Sequence, residues 1–501
     1  MESQGKIAGP LPRAPGASAL FQTKPLSALT EGSDGRRTLK RTLGPWSLIA
    51  LGIGCIIGAG LFSLTGIAAA ENAGPAVVLS FLVAAVGCAF AGMCYSELAG
   101  MLPVAGSAYT YAYATMGELV AWIIGWDLVL EYAVGAATVS VSWSRYVVSL
   151  LHDWGLTLPA RFVVSPFDTV KLADGTTVAG LVNLPAILII AAISLLLMRG
   201  IEESSRVNSV IVVVKVAVVL AVVAAGAAYV KAQNYQPFIP PNTGTFGEYG
   251  WSGIMRGAGV IFFAYIGFDA VSTAAQEAKN PQRDMAIGIL GSLVICTVLY
   301  VAFALVLTGL VNFHDMKGDA APVATAIDRT PFPWLQVAVK LGIIGGFTSV
   351  MLVLLLGQSR VFYSMSHDRL VPKLFSEIHP EWQTPWRSNL VFMIFTGALA
   401  GFVPISKLGH MTSIGTLLAF VIVCAGVMIL RRTNPEQERG YRTPWVPLVP
   451  ILGIVTCLAM MVSLDVETWY RLVIWLVIGL AIYFSYGRRH SRVARQAARP
   501  E

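Results

Sequence analysis

The feature that most constrains this chain is the recurrence of apolar runs of about 18 residues or more, each long enough to cross a hydrocarbon core as a helix. Backbone inside lipid must satisfy its own hydrogen bonds, so such runs predict α-helices. The chain is 55% hydrophobic and only 13% charged, which excludes a soluble globular protein. Hydropathy predicts about twelve spans in an all-α polytopic membrane protein, at 45–70, 75–98, 118–150, 181–199, 207–230, 252–277, 285–311, 334–363, 388–404, 407–430, 446–464 and 468–486.

The basic residues are unevenly distributed between the loops. They concentrate in residues 1–43, in the loop 364–387, in the loop 431–445 and in the tail 487–501. The positive-inside rule therefore predicts that both termini lie in the cytoplasm, with the chain in the inner or plasma membrane. The same asymmetry explains the net charge of +7 as an affinity for anionic lipid, and no nucleic acid partner is expected.

Five glycines interrupt the first apolar run, between Gly52 and Gly66. We expect the helix to break at Gly58, Ala59 and Gly60, because glycine adopts irregular backbone at little cost. The amides that open the second half-helix would then face a polar cavity and attract an anion such as a carboxylate. The alternative is that the glycines only let two helices pack closely.

The sixth apolar run repeats this pattern, with Gly257, Gly259 and Gly267 near its middle and the polar Asp269 beside them. The two interrupted runs are five spans apart, an odd number, so two repeats of opposite orientation are predicted. The predicted organisation is a disordered cytoplasmic tail and two inverted repeats, followed by two further spans and a basic tail, over residues 1–43, 44–230, 252–430, 446–486 and 487–501.

Several charged residues fall inside or beside the predicted spans. Glu131 lies midway along the third span, where a carboxylate costs about 3 kcal/mol unless it is paired or hydrated. It could contact a cationic group of the substrate, relay protons or bond to a neighbouring helix. Lys215 stands alone in a run of valines, too deep to reach water, which favours a proton carrier over a structural cation. Lys340 lies near an outer helix end, where snorkelling explains it.

Asp269 and Glu277 flank the inner half of the sixth span, and Pro281 is expected to end that helix. Both acids are candidate gate or structural residues. For Glu277, an inner-gate ion pair and simple solvation serve equally well.

Five short motifs together resemble the amino acid–polyamine–organocation superfamily, and within it the bacterial members of the cationic amino acid transporter (CAT) family. The resemblance covers about residues 40 to 430. It implies a LeuT-like fold in which two inverted five-helix repeats plus two C-terminal helices work by alternating access. The motifs are GAGLF (58–62), YSELA (95–99), PVAGSAYTY (103–111), FFAYIGFD (262–269) and KNPQRD (279–284).

The resemblance also implies roles for particular residues. The substrate carboxylate would meet the amides of Ala59 and Gly60, and Gly58 beside them is a further substrate-binding residue. Lys215 matches a lysine that relatives use in place of sodium, so proton symport is implied, with no sodium site and no cofactor. The other implied roles are a third-helix acid at Glu131, a specificity position near Met351, and carbonyls for the substrate ammonium at Ile56, Phe263, Ala264 and Ile266.

One position departs from the family's pattern. Gln276 stands where some relatives carry an acid, so the resemblance does not fix whether the substrate is cationic or neutral.

The predicted function is secondary active transport of L-amino acids, with proton coupling. The alternatives are an exchanger of amino acids or amines and an amino-acid sensor without flux. An enzyme is not expected, because the six histidines lie in loops, at span ends or in tails without catalytic or metal-binding spacing. The expected partners are the amino acid and membrane lipid, and a small membrane subunit is left open. The six cysteines all lie in apolar segments and are expected to be buried and free.

Overall fold

The computed structural model describes residues 19–24, 43–102, 107–171, 177–200, 205–275, 277–319 and 321–492. Most of both predicted tails, part of the PVAGSAYTY motif and Gln276 lie outside these ranges. The described chain is an all-α membrane protein with one small antiparallel hairpin, in which β1 (Thr169–Lys171) pairs with β2 (Thr177–Ala179).

Within the described ranges, eight helical segments are long and apolar enough to cross a membrane. Three shorter apolar helices accompany them: Pro45–Ile56, Leu184–Met198 and Leu448–Ser463. A helix lies at the position of every predicted span. The α-helices are α1 Pro45–Ile56, α2 Thr65–Ala68, α3 Val77–Met101, α4 Ser107–Thr115, α5 Glu118–Val129, α6 Gly135–Asp153, α7 Leu184–Met198, α8 Ser205–Ala227, α9 Gly250–Ile261, α10 Pro281–Leu310, α11 Pro322–Ile327, α12 Pro333–His367, α13 Trp386–Phe402, α14 Ile405–Thr433, α15 Leu448–Ser463, α16 Val466–Ile482 and α17 Arg488–His490.

Local sequence sets where several of these helices begin. Pro45, Pro281, Pro322 and Pro333 each stand in the first turn of a helix, where the missing amide hydrogen costs nothing. The Asn183 side chain accepts a hydrogen bond from the Ala186 amide at 3.2 Å and so caps α7.

The first apolar run is interrupted where its glycines predict a break. α1 ends at Ile56, and Ile57 has extended backbone with φ −72° and ψ 104°. The chain becomes helical again at Gly60 through a π-helical turn that ends at Leu64. The first run is therefore two half-helices joined by two or three irregular residues.

The sixth run is interrupted in the same way. α9 ends at Ile261 and passes through a 3₁₀ turn, Phe262–Tyr265. Gly267 then has φ +116°, a conformation that favours glycine. A second 3₁₀ segment, Asp269–Ala274, carries the chain onward.

Buried aromatic side chains pack the interior around these two breaks. Phe62 contacts the rings of Phe303 and Phe347 edge to face, with ring centroids 5.7 and 6.0 Å apart. Tyr95 and Phe420 form a second group with centroids 5.3 Å apart. Edge-to-face pairs of this kind add to the stability that apolar burial provides and hold the interrupted segments in one arrangement.

One end of the helical bundle, here called the inner end, gathers four separate parts of the chain. The Lys24 ammonium pairs with Asp368 at the end of α12, and the Lys24 amide donates to the Tyr113 carbonyl at 3.1 Å. The Tyr109 hydroxyl donates to the same Asp368 carboxylate at 2.7 Å. The Arg492 amide donates to the Asp368 carbonyl at 3.2 Å. Residues 19–24 of the predicted tail thus contact α4, which is itself buried against the bundle.

Snorkelling does not explain Lys340, contrary to the expectation from sequence. Its side chain has no exposed surface, and its ammonium donates to Asp153 at 2.6 Å and lies 3.4 Å from Asp328. The sequence could not show this because both carboxylates are remote in the chain.

Candidate functional site

The two interrupted segments meet at a small, partly open cavity, where the space between atoms is about 300 Å³ when the adjoining solvent is included. Its walls come from the first and sixth runs, from the third span and from α12. Most of the lining side chains are apolar, and the one ionisable carboxyl is that of Glu131. The lining residues are Cys55, Ile56, Gly58, Ala59, Gly60, Glu131, Gly135, Val139, Phe263, Ile266, Val350 and Leu354.

The second half of the first run begins at this cavity. The Gly58 carbonyl accepts from the amides of Leu61 and Phe62, both at 3.2 Å. The amides of Gly58, Ala59 and Gly60 come before the first hydrogen-bonded amides of the new helix. No carbonyl of that helix therefore accepts a hydrogen bond from them. They lie in the cavity wall, where the positive end of a helix can hold an anion such as a carboxylate.

The side chain of Tyr300 connects the carbonyl ends of the two broken segments. The Tyr300 hydroxyl lies 2.8 Å from the Ile56 carbonyl and 2.9 Å from the Ala264 carbonyl. The Phe263 carbonyl accepts from the Ile266 amide at 3.2 Å. A single side chain of α10 therefore bridges the two breaks.

Two glycines allow the segments to approach this closely. A Cβ at Gly60 would overlap the backbone of Ala264, and a Cβ at Gly267 would lie 2.9 Å from the backbone of Cys55. Both distances are too short for a real side chain, so the glycines set the separation of the two breaks.

Glu131 stands in a π-helical turn, Leu130–Val134, between α5 and α6. Its side chain is 1% exposed and lies beside Asp269 and Thr416. The Glu131 carboxyl is within hydrogen-bonding reach of Asp269 and Thr416, but neither of its oxygens makes a bond of good geometry with a described residue. Asp269 accepts from the Gly267 amide at 3.2 Å through one oxygen, and its other oxygen likewise makes no bond of good geometry with a described residue.

Lys215 lies just outside the cavity wall. Its ammonium donates to the Gly54 carbonyl at 2.6 Å, in the last turn of α1, and the residue is 1% exposed. A helix C-terminus has unpaired carbonyls and a partial negative charge, which favour a cation there. The side chain also fills the space above Gly346, where a Cβ would lie 3.1 Å from its Cε.

Comparison with known proteins agrees with this geometry. A family model described as amino acid permease matches residues 43–483. The branched-chain amino acid permease BcaP of Bacillus subtilis (strain 168) is 43% identical over 475 residues, covering 95% of this chain and 99% of that protein. The chain belongs to the amino acid permease family. It is therefore a multi-pass membrane protein of a transport family and not an enzyme.

Other relatives of this permease carry different names. The methylthioribose transporter of the same organism is 42% identical over 475 residues, covering 95% of this chain and 99% of that protein. The chloroplastic cationic amino acid transporter 9 of Arabidopsis thaliana is 36% identical over 440 residues, covering 86% of this chain and 74% of that protein. The resemblance to the superfamily and to its CAT members is confirmed by these matches.

The cavity brings together most of the residues singled out from the permease sequence, and a few lie elsewhere. Ala264 packs against Gly60 behind the cavity wall, and its carbonyl faces Tyr300. Met351 is fully buried but is not a lining residue, and its neighbours Val350 and Leu354 are. Glu277 lies away from the cavity, where its carbonyl accepts from the Leu43 amide at 3.0 Å.

Sequence reasoning missed several lining residues of the permease. Gly135 and Val139 follow Glu131 at helical intervals of four, so the periodicity of the third span could have identified them. Nothing in the sequence marks Tyr300 as the bridge between the two breaks, because its two acceptors are backbone atoms of distant segments.

Proposed function

We propose that this permease carries branched apolar L-amino acids across the cell membrane in symport with protons. The observation that carries the proposal is the cavity itself, in which the amides of a half-helix face apolar side chains. The amides would hold the substrate carboxylate, and the apolar walls would hold its side chain. The names of the BcaP relatives support this substrate class.

The chemistry of the cavity walls favours one substrate class. Val139, Phe263, Val350 and Leu354 offer no hydrogen bonds to a polar side chain. A lysine or arginine side chain would need an acidic group along these apolar walls, whereas the one carboxyl among the lining residues, that of Glu131, is proposed below to serve the substrate ammonium. Methylthioribose, the substrate in one relative's name, has neither a carboxylate nor an ammonium, so it would leave the half-helix amides without an anion. The geometry therefore favours a neutral amino acid.

Glu131 and Asp269 are proposed as the acidic side of the site. Two carboxylates side by side in a dry environment repel each other, so the pair is suited to hold a proton or the substrate ammonium between them. The carbonyls of Ile56, Phe263 and Ile266, whose residues line the same cavity, are proposed as further acceptors for the ammonium.

Lys215 is proposed as the coupling residue. The protonated ammonium holds the end of α1 through the Gly54 carbonyl, and loss of its proton would weaken that bond. Protonation would thereby be linked to the position of the half-helix that lines the cavity, without a sodium ion.

The proposed architecture follows from the two breaks. Twelve spans would form two inverted repeats plus two C-terminal spans, and rocking of one bundle against the other would expose the cavity to each side in turn. The excess of basic residues at the inner end supports a cytoplasmic location for both termini.

The test is uptake by the purified permease in proteoliposomes with an outwardly alkaline or an inwardly alkaline pH gradient. We expect leucine, isoleucine and valine to accumulate when the interior is alkaline, without sodium, and a protonophore to abolish accumulation. Arginine, lysine and methylthioribose are measured in parallel. Accumulation of methylthioribose alone would contradict the substrate assignment.

Two further results would contradict other parts of the proposal. Uptake that occurs only with amino acid on the far side would identify an exchanger. Ligand-dependent thermal stabilisation without any flux would identify a sensor, since a ligand stabilises the state that it binds.

A further inference from the structure

Six buried side chains on the inner side of the cavity share an unusual property. Each carries at least one oxygen that makes no hydrogen bond of good geometry with a described residue, and none is more than 1% exposed. Within the set, Tyr111 is within hydrogen-bonding reach of Ser272, and Glu131 of Asp269. We call them the inner polar cluster: Tyr95, Tyr111, Asp127, Glu131, Asp269 and Ser272.

These side chains are neighbours in space. Tyr95 lies close to Asp269, Glu131 and Tyr111, and the rings of Tyr95 and Tyr111 are 6.3 Å apart. Tyr111 and Ser272 are adjacent, and Asp127 lies within electrostatic range of Glu131. The cluster is therefore continuous from the cavity wall inward.

Asp127 is the acidic member of the cluster that has no role in the transport site proposed above. It precedes Glu131 by four residues, which is about 6 Å along a helix towards the inner end. Gly415 on α14 leaves room for its carboxyl, since a Cβ at Gly415 would lie 3.1 Å from Asp127 Oδ1. The carboxyl faces this glycine with both oxygens free of described partners.

Buried polar oxygens without partners cost about 1–3 kcal/mol each, and native proteins normally satisfy them with ordered water. Water is stable in a site that offers it two to four polar partners. Six neighbouring side chains with unused oxygens meet this condition. The cluster can therefore hold ordered water between its side chains.

We propose that the inner polar cluster lines a water-filled passage from the cavity to the inner end, in which Asp127 accepts the proton that leaves Glu131. Glu131 as a carboxylic acid gives its proton to a bridging water, and that water gives a proton to the Asp127 carboxylate. Glu131 is left as a carboxylate and Asp127 becomes a carboxylic acid, so one proton moves and no other bond changes. This inference rests on the proton coupling proposed above.

The experiment compares Asp127→Asn with the unchanged permease in two proteoliposome assays. The first is leucine accumulation driven by a pH gradient, and the second is exchange of leucine at equal pH on both sides. Asparagine keeps the shape of the side chain but cannot accept the proton. We expect gradient-driven accumulation to fall about 100-fold, as for loss of a proton-transfer group, while exchange stays within about twofold.

Glu118→Gln is the matched control. Glu118 is a buried acid on the same helix, but its oxygens accept bonds from Tyr113 at 2.9 Å and Tyr483 at 3.0 Å. Glu118→Gln should lower leucine accumulation and leucine exchange by the same factor, and its melting temperature should fall as well. If Asp127→Asn behaves like this control, or leaves accumulation unchanged, the proposal is overturned.

A second variant keeps the proposal falsifiable if Asp127→Asn does not fold. Tyr111→Phe combined with Ser272→Ala removes two hydroxyls from the passage and leaves every carboxyl in place. We expect accumulation to fall about tenfold with exchange retained, and unchanged accumulation would overturn the passage. If the unchanged permease shows exchange but no gradient-driven uptake, proton coupling itself fails, which is a different result.

Discussion

Lys215 and Lys340 are both solitary cations within long apolar helices, and the structure gives them opposite surroundings. The two helices, α8 and α12, pack against each other, and the lysines are 1% and 0% exposed. Lys340 pairs with the carboxylates of Asp153 and Asp328, whereas the Lys215 ammonium donates to the Gly54 backbone carbonyl at the end of a half-helix.

The difference separates a structural cation from a candidate proton carrier. A carboxylate partner stabilises the charged ammonium strongly, so Lys340 is held in its ion pair. The Gly54 carbonyl at the end of a half-helix favours the Lys215 charge through the partial negative charge of the helix terminus. Proton loss at Lys215 would also release a segment that lines the cavity. Burial alone therefore does not distinguish a structural lysine from a candidate coupling lysine. The group that the ammonium contacts makes the distinction.

The largest expected effect comes from removing the Lys215 charge. Lys215→Met keeps the apolar stem but loses the bond to Gly54, so we expect gradient-driven accumulation to fall about 100-fold. Proteoliposome uptake at several pH gradients measures this. Lys340→Met is the control, and the comparison fails if both variants lose accumulation equally.

A smaller effect should follow from crowding Lys215 without changing its chemistry. A Cβ at Gly346 would lie 3.1 Å from Lys215 Cε, so Gly346→Ala should displace the flexible side chain by a few tenths of an ångström. We expect accumulation to fall about threefold, since small misplacements of a functional group cost rate. The adjacent Gly345 has nothing within 4 Å of its Cβ position, so Gly345→Ala should be neutral. Equal behaviour of the two alanine variants would remove Lys215 packing as the cause.

Lys340→Met should act on stability and spare transport per folded molecule. It leaves Asp153 and Asp328 without their cation, and because these carboxylates are 30% and 46% exposed, solvent limits the loss. We expect the free energy of unfolding to fall by about 2 kcal/mol, which is less than the cost of breaking a fully buried ion pair. Thermal unfolding in detergent measures it. Adding Asp153→Asn should then cost little more, and full additivity of the two changes would rule out the pair.

The smallest effect is expected at Asp465, an acid outside the spans. Its hydrogen bond with His410, at 3.4 Å, and the nearby Arg256, at 3.0 Å, hold the pKa of Asp465 below its ordinary 3.8. A lowered pKa favours folding above the unfolded value, and the benefit is lost as pH falls through the lowered folded pKa. Asp465→Asn should therefore cost under about 1 kcal/mol at pH 7, because this half-exposed pair is screened.

A pH series of melting temperatures checks this last prediction. The difference between Asp465→Asn and the unchanged permease should be constant at neutral pH and shrink below the ordinary pKa of 3.8. A difference that grows on acidification would reverse the sign and contradict the assignment.

Local sequence was sufficient for the helices and for their two interruptions. Lipid requires apolar runs of a certain length, and glycines at 58, 60 and 267 relax the backbone where the breaks occur. Most of the residues that the sequence singled out at the two breaks line the cavity, because a break exposes the backbone groups of the same residues that cause it. Met351 shows the limit of this reasoning, since one residue along a helix turns a side chain by about 100° and Val350 lines the cavity instead.

The sequence by itself therefore determined the membrane fold class, the positions of the helices and the place where both broken runs would meet. Only the tertiary structure decided the partners: Tyr300 across the two breaks, Asp153 beside Lys340, and the unbonded oxygens around Asp127. The physical reason is the distance along the chain over which each effect acts. Helix formation and chain breaking depend on neighbours within a few residues, whereas the state of a buried charge depends on atoms that the fold brings from distant parts of the chain.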